Sequence, residues 1–302
     1  MKTIFIDCNP QLCEVWKRVY RPDDPAVEIN NVPFEKNELP RVIGGHDIAI
    51  DDHSYIPTDL VAQCKSLKHI VFLGTGAASY MNVAEIEALG VKVHTIKGYG
   101  NTAVAEQTIA LMMAACRDLS RMDRNIRAGH WEPLEGMQVF GKTLGIIGLG
   151  GIGAEVARIA KGMGMEVIAW NRTRRAEAGL PMVELDVLLQ KSDVVSFNLV
   201  LNDETRGFLD KTRIARMKPG AILVNTARAA LVDETALIEA LNSGHIRHAA
   251  LDVFHNEPLK ADHPLAKLDN VTLSAHAAFR TLEASMTLLR RAIDIVKSID
   301  PG

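Results

Sequence analysis

Three residues in the last quarter of the chain have side chains that together suit the reduction of a carbonyl group: Arg228 in NTARAALVDETAL, Glu257 in LDVFHNEP and His276 in VTLSAHAAF. An arginine presents a planar fork that can hold a carboxylate through two parallel hydrogen bonds. An imidazole can give a proton to a developing alkoxide at neutral pH, and a nearby carboxylate can orient it and favour its charged form. With a hydride donor, these groups would reduce a 2-oxo acid.

Each of the three has an ordinary explanation when it is taken alone. Arg228 would serve as a surface charge, Glu257 as a turn residue before a proline, and His276 as a hydrogen-bonded histidine at a strand end. Their positions argue against coincidence, because each follows a predicted strand and open parallel sheets bind ligands at the carboxyl ends of their strands. The sequence therefore predicts a single site at that edge of a sheet.

A glycine motif upstream supplies a candidate site for the hydride donor. Gly148-Leu-Gly150-Gly-Ile-Gly153 follows the apolar run LGII and opens a predicted helix over residues 152–163. A helix that begins in this way directs free amides and the positive end of its dipole at a pyrophosphate. Glycines alone would also suit a tight turn, so the strand before them and the helix after them decide in favour of a dinucleotide.

The end of the next predicted strand, in EVIAWNRTRR, bears on which dinucleotide is bound. Motifs that bind NAD place an Asp or Glu here to contact the adenosine ribose, whereas this chain has Asn171. The residues that follow are Arg172, Thr173, Arg174 and Arg175, which offer guanidiniums for a 2′-phosphate and no carboxylate to repel it. We therefore predict a preference for NADP(H), with NAD(H) use possible; a solvated basic loop is the alternative.

Short β-branched runs alternate with longer helical segments along the chain, which is typical of parallel sheets with helices on both faces. The predicted fold class is α/β, with two Rossmann-like, doubly wound parallel-sheet domains and the active site in the cleft between them. Residues 1–98 with 284–302 would form a discontinuous substrate domain, and residues 99–283 the dinucleotide-binding domain. The predicted strands cover residues 3–6, 47–50, 70–73 and 91–94, then 144–147, 166–170, 194–198, 221–225, 249–253 and 271–274.

The composition disfavours several other classes of protein. With 302 residues, of which 47% are hydrophobic and 24% charged, the chain is long enough for two ordinary domains. Its formal charge of −3 gives no basic excess for nucleic acid, and its longest apolar run, residues 109–116, is too short to cross a membrane. The four cysteines form no C-x-x-C pair, so we predict reduced thiols, no metal site and a cytoplasmic location.

As a set, the segments GKTLGIIGLGGIG, NTARAALVDETAL, LDVFHNEP and VTLSAHAAF resemble the D-isomer-specific 2-hydroxyacid dehydrogenase family. The resemblance covers nearly the whole chain and is weakest before residue 70. It implies that Arg228 binds the carboxylate and carbonyl of a 2-oxo acid, and that Glu257 and His276 form the acid/base pair. The loop whose amides would hold the substrate carboxylate comprises Thr75, Gly76 and Ala77.

The resemblance also completes the expected cofactor site and assembly. Cofactor-binding residues are predicted at Val104, Gly148, Gly150, Gly151, Ile152, Gly153, Asn171, Arg172, Thr173, Ala227 and Asp252. Asp252 would approach the nicotinamide carboxamide. Members of the family are usually dimers joined through the segment that corresponds to residues 104–140, so we expect a homodimer. Trp131 would lie near the neighbouring subunit's pocket, and Tyr55 near its own, although burial is the simpler expectation for each aromatic.

Departures from the family pattern narrow the expectations further. Gly151 stands where an arginine is usual, which removes one pyrophosphate contact, and Phe279 would narrow the pocket. Phosphoglycerate dehydrogenases carry an arginine where this chain has Asp51, and an acidic tip there would repel a second anionic group. Phosphite dehydrogenases have a lysine at Thr75, and formate dehydrogenases pair histidine with glutamine rather than with Glu257. The predicted substrate is a compact 2-oxo acid such as glyoxylate or hydroxypyruvate.

Two alternative functions remain open. A non-catalytic NAD(P)-sensing protein that binds a partner would share the fold, because fold alone does not fix function. Transcriptional corepressors that resemble this family are proteins of that kind. An NAD-dependent 2-hydroxyacid dehydrogenase that works in the oxidative direction would share the site as well as the fold.

Overall fold

The computed structural model describes residues 1–173 and 179–300 of the chain. The chain divides into two compact units, one of Met1–Gly100 with Arg280–Gly302 and the other of Asn101–Phe279. The predicted boundaries lay a few residues away, at 98/99 and 283/284. Among the described residues, none of the helices combines the length and apolar character that crossing a membrane requires.

A five-stranded parallel sheet forms the first unit. Its strands are β1 (Thr3–Phe5), β2 (Val27–Ile29), β3 (Ile48–Asp51), β4 (His69–Phe72) and β5 (Lys92–Thr95), in the order β2-β1-β3-β4-β5. All neighbouring strands pair in parallel. Strand β2 was not predicted, because it is a three-residue edge strand that carries a glutamate and lacks a recognisable apolar run.

Helices cover both faces of this sheet: α1 (Pro10–Val19), α2 (Leu39–Ile43), α3 (Thr58–Val61), α4 (Val83–Ala88) and the last helix of the chain, Leu282–Ile299. The last helix begins at Thr281, whose side chain accepts a hydrogen bond from the amide of Ala284. It buries Leu288, Leu289, Ala292, Ile293 and Val296 against one sheet face. This three-to-four-residue spacing makes one continuous apolar stripe.

A six-stranded parallel sheet forms the second unit. Its strands are β6 (Thr143–Ile147), β7 (Glu166–Trp170), β8 (Val194–Phe197), β9 (Ala221–Asn225), β10 (Ile246–Leu251) and β11 (Val271–Leu273), in the order β11-β10-β9-β8-β6-β7. The central strands are buried along their whole length, as expected for a sheet with helices on both faces. The prediction of two Rossmann-like α/β domains is confirmed.

The helices of the second unit are α5 (Asn101–Cys116), α6 (Leu119–Arg127), α7 (Gly151–Gly162), α8 (Leu185–Lys191), α9 (Lys211–Arg216), α10 (Glu234–Asn242) and α11 (Pro264–Lys267), so the last helix of the chain is α12. Asp118, at φ +50°, separates α5 from α6. Beyond α6, Trp131 is 87% exposed and Phe140 is 71% exposed. The expectation of burial for Trp131 is therefore wrong within this chain, as it is for Tyr55, which is 57% exposed.

Candidate active site

Three consecutive strands deliver the predicted catalytic residues to one edge of the second sheet. Arg228 follows β9, Glu257 follows β10 and His276 follows β11. The three strands are neighbours and run in parallel, so their carboxyl ends lie side by side. This is the edge at which open α/β sheets bind their ligands.

His276 and Glu257 are in direct contact. The Nδ1 atom of His276 lies 2.7 Å from Oε2 of Glu257, and the other carboxylate oxygen accepts a hydrogen bond of 2.9 Å from the amide of Phe254. The two side chains are about one-third exposed, at 35% and 36%. Because the carboxylate holds Nδ1, the imidazole keeps Nε2 as the atom that can exchange a proton with a ligand. The pair can therefore serve as a general acid or base.

A buried aspartate fixes the loop that carries this histidine. Asp252 is fully buried, and its carboxylate accepts hydrogen bonds from the hydroxyl of Ser274 and from the amides of Ala277 (3.0 Å) and Ala278 (2.9 Å). Its main-chain carbonyl accepts a fourth bond, of 2.8 Å, from the amide of His276. These contacts hold His276 at φ +48°, a left-handed conformation that costs a residue with a Cβ roughly 1 kcal/mol or more.

The loop of Arg228 has its own buried support in Asn225, which is 2% exposed. The Asn225 amide group donates to the carbonyl of Arg228 (3.0 Å), and its side-chain oxygen accepts from the amide of Ala227 (3.0 Å). The guanidinium of Arg228 donates to the carbonyl of Ala227 at 2.7 Å. Sequence reasoning missed Asn225, although a polar residue that ends the apolar strand AILVN was a usable signal.

The glycine turn between β6 and α7 has the shape that a pyrophosphate site needs. Gly148 adopts φ +98°, and a Cβ built on Gly153 would lie 2.3 Å from the carbonyl oxygen of Gly148. At Gly150 a Cβ would meet no atom within 4 Å, so the space in front of the turn is open. Helix α7 has no side-chain cap at its N-terminus, which leaves its first amides available. These residues fit a dinucleotide; of the other predicted cofactor residues, Ile152 in the first turn of α7 and Val104 in α5 are half-buried.

Gly151, which stands where an arginine is usual, lies against the side chain of Asn101. A Cβ built on Gly151 would lie 2.3 Å from Nδ2 of Asn101, the first residue of α5. The side chain of Asn101 therefore occupies the place from which a longer side chain at position 151 would start. This contact joins residues 50 positions apart in sequence, so local sequence patterns could not reveal it.

The loop after β7 is organised by Asn171. Its side-chain oxygen accepts from the amide of Leu149 (3.2 Å), and its amide group donates to the carbonyl of Thr173 (2.9 Å). Arg172 forms an exposed ion pair with Glu204, so a carboxylate does lie beside the predicted phosphate-binding arginine. Residues 171–175 contain no carboxylate, as the sequence showed, but Glu204 brings one to Arg172 from another part of the chain. Two further predicted guanidiniums, Arg174 and Arg175, lie outside the described residues.

In the first unit, the predicted substrate loop follows β4. Thr75 is exposed and Gly76 is half-buried, while Ala77 is buried at the start of the 3-10 helix Ala77–Ser79. The loop thus lies at the carboxyl edge of its own sheet, where backbone amides can meet an anion.

The Asp51 side chain, expected at an acidic tip, is buried. Asp51 is fully buried at the end of β3, and burial together with the nearby carboxylate of Asp7 raises its pKa well above the ordinary value. The amide of Ser54 lies 3.1 Å from an oxygen of each carboxyl group, which shows how close the two are. Asp51 therefore presents no exposed carboxylate at the end of β3, whereas the neighbouring Asp52 carboxylate lies 2.8 Å from Nδ1 of His53. The exclusion of a phosphorylated substrate stays a prediction.

Comparisons with known proteins show which family the chain resembles. Residues 109–278 match the family described as D-isomer specific 2-hydroxyacid dehydrogenase, NAD binding domain. A hydroxypyruvate reductase of Thermotoga maritima is 36% identical over 280 residues, which cover 90% of each protein. A D-3-phosphoglycerate dehydrogenase of Archaeoglobus fulgidus is 36% identical over 262 residues, 84% of this chain and 50% of that protein. The solved glyoxylate reductase of Paecilomyes thermophila, at 29% identity and a TM-score of 0.85, covers 99% of this chain and 95% of that one.

A dinucleotide turn and an acid/base pair on one sheet edge define the class of protein, an NAD(P)-dependent oxidoreductase. Within that class, the chain belongs to the D-isomer specific 2-hydroxyacid dehydrogenase family. It spans about half the length of the A. fulgidus relative and nearly the whole length of the T. maritima one.

Proposed function

We propose that this protein reduces a small 2-oxo acid, of the glyoxylate or hydroxypyruvate kind, to the D-2-hydroxy acid with NADPH, and that it does so in the cytoplasm. The observation that carries the proposal is the 2.7 Å contact between His276 and Glu257 at the edge of the dinucleotide-binding sheet. The hydroxypyruvate and glyoxylate reductases among its relatives support the substrate class.

In this mechanism the protein's own residues bind the acid and move one proton. When bound, the nicotinamide supplies the hydride. Arg228 takes the substrate carboxylate and fixes the carbonyl next to it. His276 donates the proton on Nε2 to the carbonyl oxygen as negative charge develops there, and Glu257 stabilises the imidazolium and keeps the ring in place. For the first unit, we propose that the backbone amides of the loop at Thr75 bind a carboxylate.

Substitution of the histidine tests the catalytic part of the proposal. We expect His276→Ala to lower kcat with glyoxylate by roughly 100- to 10,000-fold, the usual contribution of a general acid. NADPH binding, followed by its fluorescence, should stay within a few-fold of wild type. His245→Gln is the matched control, because His245 lies before β10, at the opposite edge of the same sheet, and its ring contacts only the carbonyl of Ile214 among its described hydrogen bonds.

The result also separates the competing functions. A wild-type protein that binds NADPH tightly but turns over none of glyoxylate, hydroxypyruvate, pyruvate or phenylpyruvate would favour the non-catalytic sensor. If His276→Ala and His245→Gln have the same kcat, the protein is still an enzyme but His276 is not the proton donor. Faster oxidation of the hydroxy acid with NAD than reduction with NADPH would support the oxidative alternative.

The preference for NADPH is proposed from the loop after β7. Asn171 places no carboxylate at the ribose, and Arg172 is available to a 2′-phosphate once it leaves its exposed partner, Glu204. We expect Arg172→Ala to lower the ratio of kcat/KM for NADPH over NADH by about tenfold, as the loss of one charge-assisted contact implies. Glu204→Gln should raise that ratio, because it removes the competing anion. Unchanged ratios in both variants would refute the assignment.

A homodimer through residues 104–140 is the proposed assembly. Four large apolar side chains of this segment are exposed in the single chain: Leu119 (51%), Ile126 (56%), Trp131 (87%) and Phe140 (71%). Exposed apolar surface of this kind commonly marks a protein interface. The mass in solution should be twice the chain mass of 33.1 kDa, and light scattering that finds only the monomer at micromolar concentration would refute the assembly.

A further inference from the structure

Cys8 and Cys13, five positions apart in the sequence, are in contact in the first unit. The Sγ atom of Cys13 lies 2.6 Å from Sγ of Cys8 and 3.2 Å from the main-chain oxygen of Cys8. Both are free thiols. The two side chains are thus adjacent, as an intramolecular disulfide requires.

The start of α1 holds the pair in this position. Asn9 caps the helix by accepting a hydrogen bond of 3.0 Å from the amide of Leu12, and the amide of Cys13 donates to the carbonyl of Asn9 at 2.9 Å. Cys8 is itself fixed at the end of β1 by a hydrogen bond from its amide to the carbonyl of Asn30 (3.1 Å). Both backbones are therefore anchored, and the sulfur atoms meet without a change of fold.

The surroundings make the two thiols unequal. Cys8 is 1% exposed, whereas Cys13 is half-buried and open to solvent on one side. Burial, the second sulfur and the nearby carboxyl groups of Asp7 and Asp52 all raise the pKa of Cys8, so this thiol holds its proton. Because Cys13 is the more exposed of the two thiols, it is the one expected to meet an oxidant first. The other two cysteines, Cys64 and Cys116, are buried and have raised pKa values.

We propose that Cys8 and Cys13 form a dithiol modification site that a hydroperoxide converts reversibly to an intramolecular disulfide. The Cys13 thiolate attacks one peroxide oxygen, the O–O bond breaks, and the departing hydroxide takes up a proton to leave as water. The resulting sulfenic acid is attacked at sulfur by Cys8; the S–O bond breaks, the S–S bond forms, and the hydroxyl leaves with the Cys8 proton as a second water. The two sulfurs lose two electrons in total, and the peroxide gains them.

Mass spectrometry of the whole protein after peroxide treatment tests this proposal directly. Trypsin releases residues 3–17, TIFIDCNPQLCEVWK, as one peptide that contains both cysteines. We expect this peptide to become about 2 Da lighter after treatment with hydrogen peroxide and to regain its mass with dithiothreitol. The number of titratable thiols in the denatured chain should fall by two from the four cysteines present and then recover.

Single substitutions show whether each cysteine has the proposed part. In Cys8→Ser, Cys13 should gain oxygen atoms instead of losing hydrogen, because its partner is gone. In Cys13→Ser, Cys8 should remain unmodified at the same peroxide dose, since it is buried. Cys64→Ser is the control and should behave as wild type. A wild-type peptide that stays unmodified, or that only gains oxygen, would overturn the proposal, as would loss of the Cys8 thiol at the wild-type rate in Cys13→Ser.

Discussion

Gly153→Ala perturbs the cofactor turn at its tightest point. The added Cβ would lie 2.3 Å from the carbonyl oxygen of Gly148 and 3.2 Å from Cγ2 of Ile146. Non-bonded heavy atoms normally sit about 3.5–4.0 Å apart, so α7 must move by roughly an ångström away from β6. The obstacle is backbone, which cannot rotate aside as the end of a side chain can.

The expected loss of stability follows from two opposing effects. Overpacking of this kind costs roughly 1–3 kcal/mol, while replacing a helical glycine by alanine returns about 0.5–1 kcal/mol. The net destabilisation should therefore lie between roughly 0 and 2.5 kcal/mol, with a central value of about 1 kcal/mol that lowers Tm by a few degrees for a domain of this size. Because α7 moves, its N-terminal amides move with it, and NADPH binding should weaken by tenfold or more.

Two matched variants make this prediction sharp. At Gly162, in the last turn of the same helix, a Cβ would meet no atom within 4 Å, so Gly162→Ala should leave stability unchanged or slightly improved. At Gly150 the space is also open, so Gly150→Ala should melt like wild type but bind NADPH more weakly, since its methyl group enters the space that a pyrophosphate needs. Thermal unfolding and NADPH fluorescence titrations on all three would decide. A Gly153→Ala protein with wild-type Tm and affinity would refute the packing argument.

Three further predictions concern single buried groups. Arg290→Met should lower the free energy of unfolding in urea by about 3–5 kcal/mol, because it removes the ion-pair partner of the buried Asp24 carboxylate. The Asp24 side chain is 1% exposed, and its two oxygens lie 2.6 and 2.8 Å from the guanidinium nitrogens of Arg290. Arg158→Met is the control, and it should leave the free energy of unfolding unchanged because Arg158 is exposed. Burial lowers the pKa of His248 to about 4, so between pH 6.5 and pH 4 this histidine is protonated mainly in the unfolded chain. The free energy of unfolding should therefore decrease by up to about 3 kcal/mol as the pH is lowered from 6.5 to 4. His248→Gln should make that decrease smaller. Asp252→Asn should lower the free energy of unfolding by about 1–3 kcal/mol and reduce turnover, because the new amide nitrogen would face the amides of Ala277 and Ala278, which now donate to the carboxylate. An unchanged unfolding midpoint would contradict the positioning role of Asp252.

The sequence by itself determined the sheets and the placement of residues along their edges. Apolar, β-branched runs reveal strands because a strand buried on both faces needs apolar residues throughout. The central strands of the second sheet meet this condition, and the partly exposed edge strands β7 and β11 were still predictable from shorter runs of the same kind. In a parallel sheet the carboxyl ends of all strands lie along the same edge. Residues that directly follow β9 and β11 therefore had to reach that edge. The short edge strand β2 was missed, since two half-buried residues on either side of an exposed glutamate leave no such signal.

Only the tertiary structure decided which distant side chains meet. The contact of Asn101 with position 151, the pairing of Arg172 with Glu204 and the burial of Asp51 beside Asp7 all join separate elements. Strand order and the paths of the loops determine such contacts, and the local periodicity of the sequence predicts neither of them. The close approach of two cysteine sulfurs likewise depends on the angle at which α1 leaves β1. Charge, protonation and reactivity follow from these contacts, because burial and neighbouring charges change a group's energy more than its type does.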